Sequence, residues 1–260
     1  MSLIYINPYS FSAAWTPANI TTALWLDATD NSTVFSDAGT TQAVAGTSTV
    51  QQWNDKSGNA RNLSQPTAGL RPSYTSAGLN GKNILTFTSK TMRSALDALS
   101  LPTLAVFAVA SNSANYSVLF GITQANASHT DPYFRFLVYR SGIGTVEIRI
   151  NGTPASSGTF GTTSNIYSLD SSTAEARAGG TVQVTGTPAT LTYPNSVPFR
   201  LGSNPIDQEL MNGTFAEVVA VSSAPSTDTR ERIEGYLAHK WGLTSVLPAN
   251  HPYKTTAPTA

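Results

Sequence analysis

Cysteine is missing from all 260 residues, which excludes disulfides, thiolate metal sites and cysteine nucleophiles together. Stability therefore has to come from packing. Charge is scarce as well: Asp, Glu, Lys and Arg make up 12% of the chain, and 15 basic residues balance 15 acidic ones. A chain with no net charge offers no broad electrostatic footprint for nucleic acid or an anionic membrane, so neither is expected as a partner. Long apolar runs are lacking too. None spans a bilayer, and the opening 15 residues have neither the basic leader nor the unbroken apolar core of a secretory signal. Helical periodicity is absent ahead of residue 228.

What remains is a chain that is 40% hydrophobic, ample for a core, with its apolar residues in short runs between Gly, Pro, Asn, Ser and Thr. The runs at 22–28, 51–53, 62–65, 84–88, 118–122, 133–139, 166–169, 175–178, 182–185, 199–202 and 215–222 read as strands. The longer apolar run at 101–110 fits a strand buried on both faces. Residues 145–151 alternate, with Val146, Ile148 and Ile150 inward and Glu147 and Arg149 outward, before an Asn151-Gly152 turn. Gly179-Gly180 marks another turn. Such spacing predicts an all-β, antiparallel two-sheet sandwich forming one domain over 18–260. Residues 1–17 read as an N-terminal arm, in which Tyr5, Tyr9 and Phe11 are the candidate attachment residues, or else as the first edge strand of the sandwich itself.

One amphipathic helix is predicted over 228–241. Asp228 is its expected N-cap, with Glu231 completing a capping box. Ile233, Tyr236, Leu237 and Trp241 form an apolar stripe, with Arg230, Arg232, Glu234 and Lys240 off it. Gly242 supplies the left-handed stop and Leu243 the apolar residue behind it. Gly235 costs roughly 1 kcal/mol inside a helix, so close approach to the sheet is expected there. Pro248, Pro252 and Tyr253 suggest a tail laid back over the body.

The run RIEGYLAHKWGL with LPANHPYK behind it, and LWLDATD, VQQWNDKSGNARNLSQ, RPSY and LNGKNILTFTS nearer the front, resemble the signatures of laminin-G-like, concanavalin A-like jelly-roll domains of phage and bacterial surface proteins. The resemblance implies a jelly-roll sandwich carrying one C-terminal helix, and makes His251 of the HPYK segment a packing residue. That fold carries lectins, enzymes and structural modules alike. With the missing signal, it makes a virion structural protein the leading expectation: a tail, fibre or capsid-decoration component assembled in the host cytoplasm, homo-oligomeric, held to other virion proteins by the arm. The rivals are a polysaccharide-degrading module and a lectin-like bacterial surface module.

Glycoside hydrolysis needs two carboxylates about 5 to 9 Å apart. On one strand these would stand at alternate positions, but Glu147 has Arg149 there and Glu217 is followed by Val218 and Val219. The laminarinase-like members of the fold carry a dense acidic strand motif that this chain lacks. The expectation is a non-enzyme without a cofactor. No Gly-x-Ser-x-Gly elbow accompanies His129, His239 or His251.

Calcium is the one ion to weigh. Asp27 and Asp30, with Asn31, form one cluster of oxygen ligands, and Asp55, with Ser57 and Asn59 around Gly58, another; the competing reading is that these side chains bond their own backbone in turns. A glycan face could be built from Tyr116, Tyr133 and Tyr139 with Asn112, Asn126 and His129, since pyranose recognition needs aromatic faces and fixed polar groups. Tyr193 and Asn115 lie in similar surroundings. Against it stands simple packing of tyrosines on the sandwich rim.

Overall fold

The computed structural model describes residues 13–113, 117–123, 132–139, 145–157, 161–193, 196–204, 207 and 209–260. The strands are β1 (Leu24–Asp27), β2 (Val34–Phe35), β3 (Gln52–Trp53), β4 (Leu63–Ser64), β5 (Ser73–Leu79), β6 (Lys82–Lys90), β7 (Met92–Leu96), β8 (Ala105–Asn112), β9 (Ser117–Thr123), β10 (Pro132–Tyr139), β11 (Thr145–Ile150), β12 (Thr153–Ser157), β13 (Asn165–Asp170), β14 (Glu175–Ala178), β15 (Thr181–Thr185), β16 (Pro198–Leu201) and β17 (Met211–Val221), followed by the helix α1 (Thr227–Trp241).

They form two antiparallel sheets. One has eight strands in the order β15-β14-β13-β8-β17-β6-β5, with β1 also on β17; the other has nine, in the order β12-β11-β10-β9-β16-β7-β4-β3-β2. Side chains from both sheets meet in one core, with Leu26, Phe87 and Phe215 from the first and Trp53, Phe120 and Phe199 from the second. A second apolar layer covers the other face of the eight-stranded sheet, where Phe107, Val109 and Val219 pack against Ile233, Leu237 and Trp241 of α1. Strand β8 lies between the two layers, which is why Ala105 to Ala110 are all buried. The unbroken apolar run follows from that position, and burial of each large side chain contributes about 2 kcal/mol.

Turn chemistry follows the sequence: Asn151-Gly152 and Gly179-Gly180 all have positive φ. The helix differs in detail. Its N-cap is Ser226, whose hydroxyl accepts from the Thr229 amide at 3.1 Å, rather than Asp228. Asp228 sits in the first turn and pairs with Arg232 at 2.8 Å. Glu234, assigned to the polar side, is buried at 1% exposure. Gly242 ends the helix at φ 66°, and the Leu243 amide folds back on the Ala238 carbonyl. Gly235 does mark a close approach, but to the tail: a Cβ there would lie 2.4 Å from Tyr253 Cβ.

The tail is held at several points. Lys254 Nζ donates to the carbonyls of Thr244, Ser245 and Leu247, and His251 Nε2 lies 3.2 Å from Glu234 Oε2. Residues 13–17, counted with the arm in the sequence, lie against this tail: the Trp15 amide donates to Pro258 O and the Ala260 amide to Ala13 O. Trp15 is 4% exposed and packs edge-on against Tyr236. Tyr5, Tyr9 and Phe11 lie outside the described residues.

Candidate functional site

A strand that alternates in and out cannot place two neighbouring residues on one face unless it is interrupted. In β17 Phe215 and Val218 face the inter-sheet core, while Ala216 and Val219 face the helix layer. Its pairing with β8 slips by one residue between Phe215 and Glu217. The bulge leaves Glu217 on the helix side with Ala216, and every position after it resumes alternation. Opposite Glu217, in register on β1, stands Asp27.

Glu217 is completely buried, and each of its oxygens is occupied. Oε1 accepts from Trp25 Nε1 and from the Tyr236 hydroxyl, both at 2.8 Å; Oε2 accepts from Trp241 Nε1 at 2.7 Å and pairs with Lys240 Nζ at 2.7 Å. Burial pushes the Glu217 carboxyl above its ordinary value, against the pull of the Lys240 charge. The same burial, with the neighbouring carboxylate, raises the Tyr236 phenol.

Asp27 takes Lys240 at 2.9 Å and Lys56 at 3.0 Å, and accepts from the Thr29 hydroxyl and amide. Burial works to raise this carboxyl too, but the Lys240 charge, the Thr29 bond and the Lys56 charge outweigh it and hold it below its ordinary value. Lys56 also reaches Asp30 at 2.8 Å and lies 4.5 Å from the centre of the Trp25 ring. Three carboxylates and two ammonium groups thus form one chain of contacts running from the surface into the interface between sheet and helix. Asp27 and Glu217 are a carboxylate pair that single-strand spacing cannot reveal. The available signal was Glu217 itself, an acid in the otherwise apolar run Phe215 to Val221. In this geometry the pair has no access to a sugar, because Trp25, Tyr236 and Trp241 enclose Glu217.

Beside the network is a shallow opening of about 370 Å³, lined by Ile20, Thr21, Trp25, Lys56, Ser57 and Asn59 among others. It joins one indole, one ammonium, an amide and hydroxyls at the surface.

The predicted site residues scatter. Of the oxygen clusters, Asp27 and Asp30 converge on Lys56. Asp55 is turned into its own loop, accepting from the amides of Trp25, Ser57 and Arg61, with Gly58 at φ 86°. Among the described residues no three His, Cys, Asp or Glu side chains gather as a metal site would require. Asn112, expected beside an open loop, is 2% exposed and donates to Ser117 Oγ at 2.6 Å. Tyr133 and Tyr139 belong to β10; their side chains, and Tyr116, Asn126 and His129 altogether, lie outside the described residues. The Tyr193 hydroxyl donates to Leu101 O at 3.1 Å, tying it to the rim. His239 Nε2 lies 2.9 Å from Tyr253 O, a tail contact like that of His251.

Two antiparallel sheets around a shared core, with a helix on one outer face, make this a mostly-β sandwich. No family model and no curated protein matches the sequence. Among solved structures, Trypanosoma rangeli sialidase in complex with 2,3-difluorosialic acid superposes with a TM-score of 0.55 at 9% identity, over 84% of this chain and 33% of that one. A GH54 α-L-arabinofuranosidase soaked with a cyclic sulfate inhibitor superposes with a TM-score of 0.51 at 12% identity, over 85% of this chain and 64% of that one. The K499G mutant of NanB sialidase from Streptococcus pneumoniae is a looser match, with a TM-score of 0.45 at 18% identity over 56% of this chain. The chain spans about a third of the trypanosomal enzyme and 26% of the pneumococcal one. The expectation of a non-enzyme is corrected here: the neighbours that superpose with TM-scores above 0.5 are a sialidase and an arabinofuranosidase, so the fold gives that expectation no support.

Proposed function

We propose that the chain is a glycan-recognising, lectin-like jelly-roll sandwich within a carbohydrate-active protein. The observation that carries this reading is the likeness of fold to a sialidase and an arabinofuranosidase over more than four fifths of its length. The opening at Trp25, Lys56, Ser57 and Asn59 supports it locally, since an amide, hydroxyls and an ammonium beside an indole are the groups that hold a sugar. Trp25 is fixed at its indole nitrogen by Glu217, so the network orders the wall of the opening.

A glycan array, run with and without a chelator, tests the reading. Binding of a defined glycan, weakened by Lys56→Gln, is the expected result; a protein that binds none of the glycans overturns it. The same ligands are then incubated with the protein and assayed for new reducing ends, which reads out degradation. Attachment to a virus particle through Tyr5, Tyr9 and Phe11, with homo-oligomer formation, is a proposal that rests on the sequence resemblance. Deleting residues 1–14 tests it, and normal incorporation of the shortened protein would sink it.

A further inference from the structure

The outer face of the nine-stranded sheet carries a pattern invisible in the linear sequence. Pairing runs from Arg149 to Arg135, from Arg135 to Gly121, from Gly121 to Arg200, from Arg200 to Arg93 and from Arg93 to Ser64. Four of the ten arginines in the chain therefore occupy one row across five adjacent strands, on the order of 20 Å wide. The neighbours of Arg149, Arg200 and Arg93 along their own strands, namely Ile148, Ile150, Phe199, Leu201 and Met92, point into the inter-sheet core, so these three arginines stand on the opposite face.

Like charges opposite each other on paired strands repel, and this sheet places Arg93 and Arg200 in that relation. Arg200 is 5% exposed at its side chain and has a carboxylate partner in Asp207 at 2.8 Å. Its Nε is buried and has no hydrogen-bond acceptor among the described residues. Burial lowers the Arg200 guanidinium below its ordinary value, and the Arg93 charge adds to this. Arg93 is half-buried and has no ion pair among the described residues. Arg149 is paired with Glu147 at 2.7 Å.

We infer that this row is a second ligand site, in which Arg93 and Arg200 take an oxyanion group of an acidic polysaccharide. A planar guanidinium pairs with carboxylate or sulfate oxygens through two parallel hydrogen bonds, and an oxyanion held beside the two residues would relieve their repulsion. Nucleic acid fits less well. Backbone tracking needs an uncompensated positive surface, whereas Glu147 and Asp207 interrupt this one and the chain has no net charge.

The test is binding of a polyuronate, a sulfated polysaccharide, a neutral glucan and a single-stranded oligonucleotide to the whole protein, at low and moderate salt. One of the two acidic polysaccharides is expected to bind, with affinity falling about tenfold or more in Arg93→Gln, and which one binds identifies the oxyanion. Thermal melting of Arg93→Gln, and of Arg200→Lys as the conservative variant of the buried residue, shows that the fold is retained. Acidic-polymer binding unchanged in Arg93→Gln, binding of the glucan or the oligonucleotide alone, or no binding of either acidic polymer would overturn the inference. The site at Trp25 and Lys56 lies on the helix side of the other sheet, so Lys56→Gln should leave this binding unchanged, which keeps the two readings separable.

Discussion

Asp27 and Glu217 stand opposite each other on paired antiparallel strands, and one ammonium group, that of Lys240, reaches both of them at 2.9 and 2.7 Å. Two carboxylates in that relation repel. Lys240 projects from the helix, so the same contact that quiets the pair also docks α1 onto the sheet. Burying a charge is costly unless it is paired and hydrogen-bonded, and Glu217 meets that requirement only with the helix in place.

Removing the shared cation should therefore be expensive. Lys240→Met is expected to destabilise the protein by about 3 kcal/mol, because Glu217 keeps its indole and phenol donors but loses its counter-charge inside the interface. The deficit should shrink as pH is lowered toward 4.5, where Glu217 can bind a proton. Urea unfolding at pH 7 and near pH 5 checks it, and an equal loss at both would be evidence against a charged Glu217 as the source.

The two carboxylates make opposite contributions to acid stability. Asp27 is held below its ordinary 3.8, so the folded state binds fewer protons than the unfolded chain, and stability is lost as pH falls through and below that value. Glu217 is held above its ordinary 4.5; the folded state binds more protons, and stability declines as pH rises above 4.5. Asp27→Asn should flatten the acid limb of a plot of Tm against pH, while Glu217→Gln flattens the decline on the other side. Parallel curves for wild type and either variant would refute the assignment.

Gly235→Ala gives a sign that helix propensity alone gets wrong. Ala is favoured over Gly by roughly 1 kcal/mol in a helix, yet its Cβ would meet Tyr253 Cβ at 2.4 Å and Cγ at 2.8 Å, atoms too close to the tail backbone to swing aside. A net loss of about 1–3 kcal/mol is expected, with faster proteolysis of the tail. A more stable variant would show that the tail is free to move.

The helix start separates two caps. Ser226→Ala should cost about 1 kcal/mol, since Ser226 Oγ accepts from the Thr229 amide. Asp228→Ala should cost a few tenths, the worth of an exposed pair with Arg232 and a favourable end charge. Thermal melts of the two variants rank them, and the reverse order would restore Asp228 as the cap.

Much of the chain was legible because local rules decided it. Strand β8 announced its burial through an unbroken apolar run, the turns at Asn151-Gly152 and Gly179-Gly180 through residues that tolerate positive φ, and the helix through its 3.6-residue period and Gly242. A strand of two residues such as Val34–Phe35 carries too few positions to show any period. Arg93 is likewise hidden, because β7 is short and its in-and-out alternation lapses at the exposed Ala95 and Leu96.

The composition and the order of apolar and polar residues by themselves determined a mostly-β chain without cysteine that closes with one amphipathic helix, since alternation, turn propensity and helical period act over a few neighbours. Only the tertiary structure decided that Asp27 meets Glu217, 190 positions apart in the chain, and that arginines from four strands share one row. Register, and a single extra residue in β17 that turns an acid from one face of the sheet to the other, are properties of strands already paired.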